Sequence, residues 1–416
     1  MSVDMQSTEY RFRVGDSLLG AQMLFVAFGA LVLVPILTGL DPNVALFSAG
    51  LGTLAFQIIT RGKVPVFLAS SFAFIAPISY GVKTWGIPGT LCGLVAAGLL
   101  YILLSFIIRI KGSAFLERFL PPIVTGPVIM VIGLVLAPVA VGMADGSIGD
   151  GRIVGSPAMI MSMVALVTTI VVSIFGGGFL RLIPIFCGIA AGYIVALVMG
   201  LVDFSPVANA AWLKVPDFTM PAWNLDAIIY IVPVAIAPAI EHFGDVLAIG
   251  SITGKDYVKD PGVENTMLGD GIATSLAGFI GGPPNTTYSE VSGAVALTKA
   301  FNPAIMTWAA ICAVLLAFVG KIGAFLATIP GPVMGGVMIL LFGMITVIGI
   351  NTLVKAGKDL ATPRSLVIIA VILVCGIGGM KFTAGTFAIE KIGLAGVLGL
   401  LLNLILPLDK AEESEG

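Results

Sequence analysis

The run GGPPNTTYSE, Gly281–Glu290, decides the fold. It sets Asn285, Thr286, Thr287, Tyr288, Ser289 and Glu290 side by side in a chain that is 58% hydrophobic. On both sides the sequence is suited to lipid. One reading makes the run an ordinary polar loop between two helices. Against that, the next basic residue is Lys299, which leaves Glu290 well inside the apolar layer. The reading adopted here makes it half of a substrate site at the middle of a membrane.

The composition supports a membrane setting. Charged residues are 11% of the 416, where a soluble globular chain carries about 25%. Mean hydropathy is +1.09, and many apolar runs reach the roughly 20 residues that a spanning helix needs. An all-α polytopic membrane protein is therefore expected. The first apolar run, 18–40, is too long for a signal peptide and lacks a cleavage-type flank. The net charge of −2 says nothing about partners. Cys92, Cys187, Cys312 and Cys375 lie inside apolar runs with no CxxC, and read as small core residues. His242 is the only histidine, so no histidine-rich metal site is expected, and no cofactor.

Fourteen spans are expected. Twelve are clear: 18–40, 43–60, 89–110, 119–142, 157–176, 182–202, 226–250, 265–281, 303–328, 333–349, 365–379 and 385–406. Two are short and broken, 65–81 and 284–299. With the N-terminus inside, 15 basic residues (Arg11, Arg13, Arg61, Lys63, Arg109, Lys111, Arg118, Arg181, Lys255, Lys259, Lys299, Lys355, Lys358, Arg364, Lys410) fall on the cytoplasmic side. Only five, Lys83, Arg152, Lys214, Lys381 and Lys391, fall outside. This asymmetry is what the positive-inside rule expects, and it puts both termini in the cytoplasm.

The halves of the chain resemble each other. LPPIVTGPVIMVIG, Leu120–Gly133, aligns with IPGPVMGGVMILLF, Ile329–Phe342, through Pro121/Pro330, Val124/Val333, Gly126/Gly335 and Val128/Val337. These are the fifth and twelfth spans, and the broken ones are the third and tenth. Both pairs are seven apart. An odd offset turns the second half upside down, so two inverted seven-span repeats are expected, with the site between paired discontinuous spans. Pro65 and Pro77 bracket one of these, and Pro283 and Pro284 open the other. Unpaired backbone in lipid costs several kcal/mol per group. Short antiparallel strands in spans 3 and 10 remove that cost by pairing. Half-helices from Phe72 and Glu290 then aim free amides and positive dipole ends at one spot.

Four acids fall within spans: Glu241, Asp245, Asp270 and Glu290. Such residues commonly mark an ion or substrate route. Glu241 and Asp245 are four apart and share a helix face. Two carboxylates so placed resist ionising together, so one holds a proton, which suits proton coupling. Asp270 is open to either a functional or a structural role, His242 reads as structural, and Lys321 either snorkels or pairs with an acid. Two carboxylates without a basic partner disfavour anions. Carboxylates accept from N–H, free amides donate to C=O, and Phe72, Phe74 and Tyr288 offer flat faces. A small planar ring that alternates N–H and C=O, such as a nucleobase, fits all three.

These residues make the chain recognisable. FGALVLVPIL (Phe28–Ile36), RGKVPVFLASSFAFIAP (Arg61–Pro77), EHFGD (Glu241–Asp245), GGPPNTTYSE and PGPVMGGV (Pro330–Val337) resemble the nucleobase–ascorbate transporter family, most closely its proton-coupled bacterial uracil carriers. The likeness runs from about Ala21 to Leu406. It implies a core domain, 1–115 and 223–328, and a gate domain, 116–222 and 329–416, the last with a cytoplasmic tail. It implies base binding by Glu241, Glu290 and backbone at Phe72 and Ser289, in a pocket shaped by Ala30, Tyr288 and Phe342, with proton coupling through Glu241 and Asp245. It also implies a homodimer, a bacterial inner membrane, and partners limited to the base, protons and the lipid bilayer, with no nucleic acid. The chain departs from the family pattern at Val291 (usually Asn), Ser289 (usually Gly in uracil carriers), Phe342 (often Tyr) and Asp245 (His in the nearest branch).

Uptake of uracil with protons is therefore expected. The rival within the class is a carrier for xanthine or another base. A channel is a remoter rival, since two proline-led broken spans suit gated exchange better than a continuous pore. An enzyme is not expected, because no nucleophile–base pair or metal cluster is visible.

Overall fold

The computed structural model describes residues 7–112, 121–148, 153–178, 180, 183–354, 356–384 and 387–407. Arg118, Arg152, Arg181, Lys355 and Lys410, which entered the charge asymmetry, lie outside these.

The first half begins with α1 (Ser17–Thr38) and α2 (Pro42–Ile59). Asp41 starts α2 by accepting the Val44 N–H at 2.8 Å, and Pro42 takes a first-turn position where no N–H is needed. Strand β1 (Leu68–Ser70) follows, then a 3-10 turn at Phe72–Phe74 and the long α3 (Ile75–Lys111). α3 is not one rod. Gly86, at φ 71° and ψ 174°, breaks it at the junction expected between the third and fourth spans. Helices α4 (Pro122–Ala144), α5 (Ser156–Phe175), α6 (Pro184–Val198) and the short α7 (Ser205–Asn209) complete this half.

The second half begins with α8 (Leu225–Ile231), a 3-10 segment Val232–Ala235, and α9 (Ile236–Thr253). A single span was expected there. Pro233 lacks the N–H that would continue α8, so the turn tightens. Next come α10 (Val263–Ile280), β2 (Asn285–Thr287), α11 (Ser289–Thr298), α12 (Ala304–Ala317), α13 (Gly320–Leu326), α14 (Gly331–Val354) and α15 (Pro363–Ile377). A hairpin of β3 (Lys381–Ala384) and β4 (Phe387–Glu390) precedes α16 (Lys391–Ile405). The last span was expected from 385. Apolar Phe387 and Ile389 extended its hydropathy signal into what is an antiparallel ladder, Lys381 opposite Glu390.

Seven described helical stretches are long and apolar enough to cross a membrane, and four shorter described helices are largely apolar. They pack as two groups. α1, α2, α3, α8, α10 and α12 lie against one another, and so do α4, α5, α6, α14, α15 and α16. α4 and α14 carry the two matching sequence stretches and form the closest pair of all. Their backbones touch. A Cβ at Gly133 would sit 2.4 Å from the Phe342 carbonyl, and one at Gly126 would sit 2.8 Å from that of Gly349. Small residues allow this approach, and dispersion across it holds membrane helices together.

Candidate functional site

The interrupted segments meet. β1 and β2 pair antiparallel, with Leu68 opposite Thr287, Ala69 opposite Thr286 and Ser70 opposite Asn285. The Ser71 N–H extends the pairing to the Pro284 carbonyl at 2.9 Å. A two-stranded ladder leaves outer edges, and buried edges need partners. Side chains of the neighbouring helices provide them. Thr53 of α2 accepts the Leu68 N–H at 3.0 Å, and Thr274 of α10 donates to the Asn285 carbonyl at 2.9 Å.

A buried polar cluster fixes β2 further. Asp270 of α10 accepts the Thr287 N–H at 3.1 Å, and the same Oδ2 faces Nδ1 of His242 at 2.9 Å. His242 Nε2 lies 2.9 Å from the Thr266 hydroxyl. Both Asp270 and His242 are 1% exposed. The carboxylate can only accept, so His242 carries its proton on Nδ1. Nε2 faces the Thr266 hydroxyl, which itself donates to the Val263 carbonyl at 3.1 Å. The pair thus ties β2 to α9 and α10. His242, whose sequence context favoured a structural reading, and Asp270, left open by the sequence, are both bonded into the support of this strand.

Beside the ladder lies a cavity of about 20 Å³, bounded by Ser70, Ser71, Phe72 and Ala73 from the first broken segment and by Thr286, Thr287 and Tyr288 from the second. Glu241 of α9 closes one side, and Ile132, Ile345 and Ile348 close the other. Phe72 stands 6.3 Å from the Tyr288 ring and 6.1 Å, edge to face, from that of Phe342. Both half-helices start here, at Phe72 and at Ser289. The first turn of a helix has N–H groups with no intrahelical partner, and its dipole end is positive. The cavity therefore offers a carboxylate acceptor, backbone donors and aromatic walls. Among its described lining residues no Lys or Arg occurs.

Not every expected residue is at this cavity. Asp245 is buried on α9, four residues past Glu241, and is not in the lining. Ala30 is fully buried in α1 and is also not in the lining. Ser289 and Glu290 open α11, but their side chains fall outside the described residues. Among the described residues Lys321 pairs with no acid. Its Nζ donates to the carbonyls of Val207 and Ala208 at the end of α7 and lies 5.8 Å from the Trp212 ring. Ser70, Ser71, Thr286 and Thr287 sit inside the quoted motifs without having been singled out. Ile132, Ile345 and Ile348 were missed, since an isoleucine in an apolar span carries no distinguishing signal.

A second cavity, about 310 Å³, adjoins the first and shares Ile345 and Ile348 with it. Gly293, Ala294 and Leu297 of α11 form one wall, and Val337, Leu340, Leu341 and Met344 of α14 face them.

Comparison with known proteins agrees with this architecture. Residues 15–385 match a model described as "Permease family". The chain is 53% identical over 404 residues to a probable uracil permease of Haemophilus influenzae, covering 97% of each. It is 46% identical to the uracil permease of Bacillus caldolyticus, covering 94% of this chain and 91% of that one. For the uracil permease of Escherichia coli K12 the identity is 39%, with the same coverage, 94% and 91%. Among solved structures, the transmembrane domain of the cyanobacterial bicarbonate transporter BicA superposes with a TM-score of 0.62 at 13% identity, covering 95% of this chain and 99% of that one. Murine Slc26a9, an anion transporter in its inward-facing state, gives 0.69 at 11% identity, covering 95% and 69%. These two establish a shared transporter-like fold and nothing about substrate. The protein is thus a mostly helical, multi-pass membrane protein, and it belongs to the permease family also known as the nucleobase–ascorbate transporters.

Proposed function

We propose that this protein takes up uracil in symport with protons across a bacterial inner membrane. The observation that carries this is the central cavity, where one carboxylate, two half-helix starts and aromatic rings converge without a basic residue. Uracil presents two ring N–H groups and two carbonyls in a plane. Glu241 accepts from an N–H, the backbone at Phe72 and Ser289 donates to a carbonyl, and Phe72 and Tyr288 cover the ring faces. Glu290 takes the second ring N–H. Ala30 and Phe342 limit the pocket's size. The names of the relatives support this choice of base.

Protons enter through Glu241, assisted by Asp245, whose carboxylates follow each other by one turn of α9. The loaded site binds the base, the two helix groups shift, and both cargoes leave inside. The cavity's 20 Å³ is room for about one water and far less than a six-membered ring needs. A ring therefore enters only when the walls part. The two packed groups are the core (1–115 and 223–328) and the gate (116–222 and 329–416). Fourteen crossings in two inverted repeats, a dimer through the gate, and cytoplasmic termini complete the proposal. The bend of α3 at Gly86 and the interlocked α4 and α14 support the repeat.

Radiolabelled uracil uptake into proteoliposomes, with and without an imposed pH gradient, tests the function. Accumulation should follow the gradient, and gradient-independent uptake would remove the proton from the mechanism. Competition by unlabelled xanthine and other bases tests the substrate. Glu290→Ala should abolish binding.

A further inference from the structure

A second contact between the two helix groups lies away from the substrate cavity. Tyr230 of α8 donates its hydroxyl to Glu390 Oε1 at 2.9 Å. Glu390 ends β4, and its Oε2 stands 3.9 Å from Lys381 Nζ across the hairpin. Lys381 Nζ in turn sits 5.9 Å from the centre of the Tyr80 ring on α3. Tyr80 and Tyr230 stack at 4.7 Å and 27°, which closes the circuit. Trp85 meets both rings edge-on, at 5.6 and 5.7 Å. Two members of this ring belong to one helix group, and two lie on the hairpin that feeds α16 of the other. Tyr230 is 8% exposed and the Glu390 side chain 18%. The hydrogen bond is therefore partly dry, where such a contact is stronger, while the Lys381 side chain, 44% exposed, makes its cation–π contact nearer to solvent.

We propose that Tyr80, Tyr230, Lys381 and Glu390 form a latch that clamps the outer ends of the two groups and must release before the site opens outward. Nothing in the chemistry of base binding requires these residues. They sit where α3 leaves the broken segment and where α8 leads toward Glu241. Separation of the groups on this face has to pull the hairpin off the stacked tyrosines. Both contacts lie within reach of one another, so they break together.

The latch rests on the two-body division and orientation proposed above, so its test does not use transport. The four cysteines are replaced, and Val234, 5% exposed and one turn past Tyr230 toward Glu241, becomes the reporter as Val234→Cys. A membrane-impermeant thiol reagent is applied to intact cells and to inside-out vesicles. A hydrogen bond to a charged group biases a two-state equilibrium by roughly tenfold or more. Tyr230→Phe and Glu390→Gln should therefore each speed labelling from outside by about that factor. Acceleration from the inner face only would overturn a latch that holds the outer ends. Conversely, Tyr80→Cys joined to Lys381→Cys by a short bifunctional thiol reagent should suppress outside labelling of the reporter below that of the unlinked protein. Unchanged labelling in both single variants, together with no protection by the cross-link, overturns the latch. Uracil binding to the purified variants, measured in parallel, keeps a failure of the substrate assignment separate from a failure of the latch.

Discussion

Replacing Asp270 by alanine should damage the site without touching substrate. Its Oδ2 accepts from the Thr287 N–H at 3.1 Å and faces His242 Nδ1 at 2.9 Å, in a spot only 1% exposed. Hydrogen bonds to a charged group contribute about 1.5–3 kcal/mol each. Removing the acceptor also leaves the Thr287 amide buried without its partner, which costs about 1–3 kcal/mol more, while His242 Nδ1 keeps the Thr287 hydroxyl at 3.2 Å. A small part of that falls on the helices, since α10 packs on both α2 and α3 regardless. The rest falls on β2, whose Thr287 amide has no other side-chain acceptor among the described residues. At about 1.4 kcal/mol per factor of ten, uracil binding should weaken by roughly a hundredfold or more. Asp270→Asn keeps an acceptor oxygen for Thr287 but not the charge, so its loss should be an order of magnitude smaller. The assay is equilibrium binding to purified full-length protein, with the unfolding midpoint recorded on the same samples. Alanine and asparagine variants that bind as the unaltered protein does would refute the claim that this pair positions the strand.

Glu241→Gln should abolish gradient-driven uptake in proteoliposomes, because the amide can still donate and accept but cannot carry a proton; normal uptake removes it from the coupling. Gly133→Val should prevent accumulation of folded protein, since any Cβ there meets the Phe342 carbonyl at 2.4 Å and the Thr346 hydroxyl at 2.3 Å; fluorescence size-exclusion of a tagged chain reads the outcome. Ile345→Trp should block uracil uptake while leaving that elution profile intact, because Ile345 stands between a cavity of about 20 Å³ and one of about 310 Å³. Unimpaired uptake in this variant would place the inward route elsewhere.

Some of this could be read directly from the residues. Prolines at 65, 283 and 284 flagged backbone that could not continue a helix, whereas Pro77 falls in the first turn of α3, and acids in apolar surroundings flagged Glu241. Both signals work because lipid makes unpaired polar groups expensive wherever they occur. Partnership was less legible. His242 and Asp270 are 28 positions apart and meet only because α9 and α10 pack side by side around β2. No periodicity records that. The isoleucines at 132, 345 and 348 face the cavity by helix rotation, which a uniformly apolar helix does not reveal. The hairpin was hidden for a related reason: Phe387 and Ile389 are apolar enough to join the following helix in a hydropathy average, and only the alternating pattern separates them.

The way the site is held explains how such a carrier can move without dissolving its own binding geometry. β1 is tied to α2 through Thr53, and β2 to α10 through Thr274 and Asp270, while the ladder joins the two strands. Glu241 rides on α9 beside His242, which is bonded into the same cluster. The two strands and Glu241 are therefore fastened together. The opposite wall is Ile132, Ile345 and Ile348, from α4 and α14, and none of these offers a polar group. Sliding an apolar wall past a polar site breaks no side-chain hydrogen bond at that contact, so the barrier there is one of dispersion and shape alone. One polar contact between the two proposed domains lies at the rim, where Tyr230 meets Glu390, and others join Lys321 to the carbonyls of Val207 and Ala208 and Tyr193 to Thr328. A charged residue on the moving wall would reverse this arrangement. Ile348→Lys should bind a carboxylate across the cavity, arrest exchange and still leave the strand ladder intact; a variant that binds and transports uracil normally would show that the wall does not close over the site at all.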